Sequence, residues 1–122
     1  MTAALFTAGL LAYIFTSIRT TGTAQAADLR QESRPTIILT EEGFSPRAVR
    51  ITRGQSITFT TTRSARFWPA SDPHPEHTIY PGFDPFGPIA PEESWTFTVD
   101  RSGTWNFHDH IRSYFTGTLY VD

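Results

Sequence analysis

From residue 36 to the C-terminus, apolar and polar residues alternate in short runs divided by turn residues, and no stretch after residue 30 carries a helical period of 3.6. Ser56 to Thr62 sends Ile57 and Phe59 to one face and threonines to the other, the pattern of a half-buried strand. Ser94 to Asp100 and Gly103 to His110 alternate in the same way, and Arg101-Ser102-Gly103 turns the chain between them. Thr36 to Leu39, Ala48 to Ile51 and Gly117 to Val121 complete the predicted strands. Glu42 to Pro46 and Arg53-Gly54-Gln55 read as turns by their Gly and Pro content. An all-β domain built as a sandwich or barrel follows.

Between Thr62 and Ser94 the alternation stops. Prolines at positions 69, 73, 75, 81, 85, 88 and 91 exclude sheet centres, so the segment is predicted as a loop or chain of turns, with a short edge piece at Thr78-Ile79-Tyr80. It also carries Phe67, Trp68, Tyr80, Phe83 and Phe86, rings that need a surface to pack on. A rigid cap over one end of the sandwich fits both features. Long irregular segments inside small domains are usually functional.

Upstream of the domain, residues 3 to 18 form an apolar run of about 16 residues, short for a bilayer span of roughly 20. Ala24-Gln25-Ala26 suits signal cleavage, although no Lys or Arg precedes the run. Residues 1–26 are therefore expected to be a signal peptide or membrane anchor helix, 27–34 a polar linker and 35–122 the domain. Such a leader implies a periplasmic or other extracytoplasmic location, with the N-terminus as a candidate membrane tether. The net charge of -2 and ten scattered arginines offer no basic stripe, which argues against a nucleic-acid partner. With no cysteine, the chain has neither disulfides nor thiolate ligands, and its stability rests on packing.

The candidate chemistry lies in the four histidines, all of which fall in two motifs, His74-Pro75-Glu76-His77 and His108-Asp109-His110. On a strand, His108 and His110 would leave the same face roughly 6.5 to 7 Å apart, close enough to lean onto one ion. Loop histidines brought to that strand end would complete a nitrogen-rich site suited to copper or zinc. Asp109 has two readings, a carboxylate that ligates metal or orients an imidazole, and a buried acid paired with Arg66 or Arg112. Regular alternation would put Trp105, Phe107 and Asp109 on the core face, and His108 and His110 on the opposite one. Completion of the site within one chain or between chains, through self-association or a protein partner, is left open by that pattern.

Gly103-Thr104-Trp105-Asn106-Phe107-His108-Asp109-His110-Ile111 resembles the C-terminal copper-binding segment of the multicopper oxidases, which reads Gly-x-Trp/Tyr-x-Phe/Tyr-His-Cys-His-Ile. His74-Pro75-Glu76-His77 is similar to their His-Pro-x-His motif, and Gly43-Phe44-Ser45-Pro46 to the start of small cupredoxins. The resemblance covers roughly residues 36 to 122 and implies a Greek-key cupredoxin sandwich holding copper, with zinc as the alternative. It also resembles a cysteine-free, single-domain cupredoxin-like group. The departures are chemical: Asp109 stands where the copper thiolate would be, and the following His and Met positions fall near Tyr114 and Phe115. A blue copper site is excluded, and His74, His77, His108 and His110, with Asp109, are the expected metal residues. Tyr114 and Phe115 are expected to close the site against water, with the Tyr114 phenol as a further candidate ligand. Copper storage, delivery or a non-blue redox role is implied first. A small redox enzyme acting on an oxygen or nitrogen species, and a metal-free interaction module, are the alternatives.

Overall fold

The computed structural model describes residues 34–122; the proposed signal or anchor segment and most of the linker lie outside them. Eight strands are present, and there is no helix among the described residues. They run β1 (Thr36–Thr40), β2 (Gly43–Ser45), β3 (Ala48–Ile51), β4 (Ser56–Thr61), β5 (Pro69–Ser71), β6 (Trp95–Thr98), β7 (Gly103–Asp109) and β8 (Thr116–Val121).

Two mixed four-stranded sheets face each other, ordered β2-β1-β4-β6 and β3-β8-β7-β5. In the first, β1 lies parallel to β4 and β4 antiparallel to β6, setting Phe59 opposite Trp95 and Ile57 opposite Phe97. In the second, β7 runs antiparallel to both β8 and β5, and β3 lies parallel to β8. Period-two alternation turns Ile37, Leu39, Ile57, Phe59, Phe97, Phe107, Leu119 and Val121 inward, where they form one buried core. Phe59 sits at its centre, 5.5 Å from the Phe107 ring and 5.7 Å from both Phe83 and Trp95. Gly117 on β8 is required there: a Cβ would stand 2.3 Å from Phe107 Cζ and 2.8 Å from the Arg47 carbonyl oxygen.

Three local expectations are corrected. The Glu42–Pro46 turn contains a strand, β2, because Gly43 at φ 127° lets the chain double back and pair with β1. The edge piece of the proline-rich segment is Pro69–Ser71, not Thr78–Tyr80; proline is tolerated at the first residue of an edge strand. Phe86 does not pack into the cap and is 75% exposed.

The rest of the segment folds as expected onto the sandwich. Phe83 stacks on Phe97 at 5.0 Å, and Tyr80 packs edge-on against Phe97 and Trp105. The Tyr80 hydroxyl bonds the Asp100 carboxylate, and its pKa is raised, first by burial and then by that bond. Phe67 exchanges two backbone hydrogen bonds with Ile89, closing the segment on itself. Residues 72 to 94 are thus held over the β5–β7 edge.

Candidate metal centre

At that edge the two histidine motifs meet within one chain. His108 is the penultimate residue of β7, and His110 lies just beyond the strand, where its N–H donates to the Trp68 carbonyl at 2.7 Å. The cap covers the outward face of β7 at its C-terminal end, so His108 is buried although it alternates away from Phe107 and Asp109, while Thr104 and Asn106 on the same face stay exposed. On the cap side, the Asp72 N–H donates to the Asn106 carbonyl and the Ile79 N–H to the Asp72 carbonyl, tying the loop to β7. The His77 N–H donates to the Pro73 carbonyl at 2.8 Å, and the Ser71 hydroxyl reaches the His77 and Tyr80 carbonyls. His77 adopts φ 57°, a left-handed conformation uncommon outside glycine and kept here by the surrounding hydrogen bonds.

One nitrogen from each of His74, His77, His108 and His110 falls within 4.8 Å of the other three. The pairings identify them: His74 Nδ1 stands 3.3 Å from His108 Nε2, and His77 Nε2 stands 2.9 Å from His110 Nδ1. Nitrogens bound about 2.0 to 2.1 Å from one ion stand about 3.3 Å apart in a tetrahedron and about 4.2 Å apart when trans in a plane. The four nitrogens lie within 4.8 Å of one another, about half an ångström beyond the larger of these. The four residues therefore fit a nitrogen-ligated metal ion.

Behind two of the rings stand carboxylates that the sequence did not single out. His77 Nδ1 lies 2.7 Å from Asp84 Oδ2 and His108 Nδ1 lies 2.7 Å from Asp72 Oδ1. A carboxylate can only accept, so each ring carries its proton on Nδ1 and turns a bare Nε2 toward the cluster. Burial disfavours the charge on Asp84, yet hydrogen bonds from the Trp68 indole, His77 and the Phe86 N–H outweigh it and hold its pKa below the usual carboxylate value. Trp68 serves both sides of the site, packing on the His110 ring at 4.4 Å while its Nε1 donates to Asp84. His108 and His110 both have lowered pKa values, first through burial and then through neighbouring imidazoles. For His108 these effects outweigh the raising influence of Asp72. A lowered pKa favours the neutral imidazole, the form a ligand must have.

Asp109 stands apart from the four. It is fully buried, accepts the Trp68 N–H at 2.8 Å and pairs with Arg112 at 2.9 Å, so its two oxygens bind protein donors on the inner face of β7. This is the arginine-paired arrangement, with Arg112 as the partner. Glu76 is exposed between the loop histidines. Tyr114 does not close the site: it is 73% exposed, packs on Phe115 and lines a shallow cavity with Glu42, Gly43 and Arg47. The missed carboxylates, Asp72 and Asp84, lie in the same proline-rich segment as His74 and His77. The general need of a ligating imidazole for an outer acceptor was the available signal, but Asp109, adjacent to histidines in sequence, drew it instead.

Comparison with solved structures identifies the fold. A purple cupredoxin from Nitrosopumilus maritimus matches with a TM-score of 0.58 at 15% identity, covering 72% of this chain and 99% of that one. The domain has the cupredoxin fold. A Cu(I) form of an amicyanin variant matches with a TM-score of 0.60 at 12% identity, over 73% of this chain and 82% of that one. A Cu-containing nitrite reductase from Thermus scotoductus matches at 0.59 and 17% identity, over 73% of this chain but only 22% of its own. No family model matches the chain, and no curated protein matches it by sequence. Within this cupredoxin frame, Asp109 lies between the two β7-end histidines, the place where the sequence resemblance puts a copper thiolate. Its carboxylate turns inward to Trp68 and Arg112.

Proposed function

We propose that this cupredoxin-fold domain binds copper through His74, His77, His108 and His110, and holds or hands it over in the cell envelope. The observation that carries the reading is the convergence of four imidazole nitrogens from two distant motifs of one chain, two of them braced by carboxylates. Copper is favoured over zinc by two structural neighbours, an amicyanin variant in its Cu(I) form and a Cu-containing nitrite reductase. The envelope location rests on the apolar N-terminal run and the Ala24-Gln25-Ala26 motif.

When bound, copper would supply one-electron redox chemistry or serve as cargo. The chain's own residues do the rest: His77 and His108 present fixed Nε2 atoms, and Trp68 covers His110. His74 is exposed and marks the solvent side of the cluster. Without a thiolate the site lacks the ligand of blue copper centres, which favours storage, delivery or a slower redox role.

Titration of the purified full chain with Cu(II), followed by EPR, tests this. One equivalent bound with nitrogen hyperfine structure is expected, and its loss in a His77→Ala, His108→Ala double variant that still folds. Absence of stoichiometric binding by the unaltered chain overturns it.

A further inference from the structure

Asp72 and Asp84 play no part in the four-nitrogen cluster itself, and their placement carries an inference that rests on the copper reading. Each accepts a 2.7 Å hydrogen bond from the Nδ1 of a different imidazole, and each comes from the cap while serving a different motif: Asp84 braces His77 of the cap, Asp72 braces His108 of β7. Among the described residues, the rings of His74 and His110 hydrogen-bond other imidazoles and no carboxylate. The ligand set is therefore split into a fixed, charge-backed pair and an unbraced pair.

We propose that Asp72 and Asp84 are positioning residues that set the oxidation-state preference of the site. They fix the tautomers of His77 and His108, and together they place two carboxylates behind the four-imidazole cluster. Two charges balance a divalent ion and overbalance a monovalent one, so the carboxylates stabilise Cu(II) more than Cu(I). The other buried acid at this end, Asp109, is neutralised by Arg112 and adds no net charge. Asp84 has the larger effect. Its side chain is only 9% exposed, whereas that of Asp72 is 36% exposed and screened by solvent.

Asparagine can still accept the imidazole N–H through its carbonyl oxygen but carries no charge, so Asp84→Asn and Asp72→Asn separate charge from orientation. Cu(II) and Cu(I) affinities of the full chain are measured by competition with chelators, and the midpoint potential by mediated titration, in which one electron enters per ion. Asp84→Asn is expected to lower Cu(II) affinity at least tenfold relative to Cu(I), raising the potential by about 59 mV for each tenfold change in the ratio. Asp72→Asn is expected to act in the same direction but more weakly, with the nitrogen hyperfine pattern retained in both variants. Equal losses for the two oxidation states, or an unchanged potential, would overturn the inference while leaving the copper reading intact. Asp84 also anchors Trp68 and Phe86; if its variant fails to fold, Asp72→Asn alone decides, an unchanged potential counting against the proposal. Failure of the unaltered chain to bind copper removes both readings together.

Discussion

At the scale of single residues, the site depends on groups whose ionisation is set by burial. An unfolded imidazole is half-protonated near pH 6.5. Burial, reinforced by neighbouring imidazoles, holds His108 and His110 below their ordinary value in the folded domain. As pH falls through about 6.5, the unfolded chain takes up protons before the folded one, so these two residues increasingly destabilise the metal-free fold until their lowered pKa values are reached. Melting temperatures in the presence of a chelator should therefore fall between pH 7.5 and pH 5.5, and the fall should shrink in a His108→Gln variant. An equal fall in both proteins would assign the effect to other groups.

Asp109 is a second residue-scale case, because two roles make opposite forecasts. As a buried acid bonded to Arg112 and to the Trp68 N–H, its removal leaves donors unpaired. Breaking such a pair costs about 3 to 5 kcal/mol. Asp109→Ala should lower stability by that order in denaturant unfolding while leaving four nitrogen donors visible by EPR in the protein that remains folded. A change in the donor set with little loss of stability would instead make Asp109 a metal ligand.

At the scale of elements, the cap and the sandwich are coupled through aromatic packing. Phe83, fully buried, stacks on Phe97 and contacts Phe59, Trp95 and Phe107, and its carbonyl accepts the Ser71 N–H at the β5 edge. The same segment carries His74 and His77, so their positions are inherited from this anchor. Phe83→Ala is expected to cost about 3 to 5 kcal/mol of stability, and to weaken metal binding in the folded fraction, read by titration below the melting transition. Unaltered affinity beside a large loss of stability would show that the loop histidines are held by their hydrogen bonds alone.

Element existence was legible in the sequence where alternation was strong. Ser56–Thr61, Trp95–Thr98, Gly103–Asp109 and Thr116–Val121 all lie at the expected places, give or take one or two residues at an end. The pattern was silent on β2 and β5. Each has only three residues, too few to show a period, and each is created by its partner strand: β2 by the hairpin at Gly43, β5 by the free edge of β7. Alternation also left His108 on an outward face, correctly, but no pattern within β7 could show that the cap would bury it.

At the scale of the whole molecule, the sequence by itself determined an all-β architecture, the identity of the four imidazoles and the exclusion of a thiolate centre. These follow from composition and local periodicity, which are written residue by residue. Tertiary structure alone decided that His74 and His77 meet His108 and His110 inside one chain, that Asp72 and Asp84 stand behind two of the rings, and that Asp109 turns inward to Arg112. The physical reason is the same for all three. A metal-sized cluster requires atoms placed to within about an ångström, and that precision comes from the packing of the cap on two sheets, through contacts between residues more than thirty positions apart.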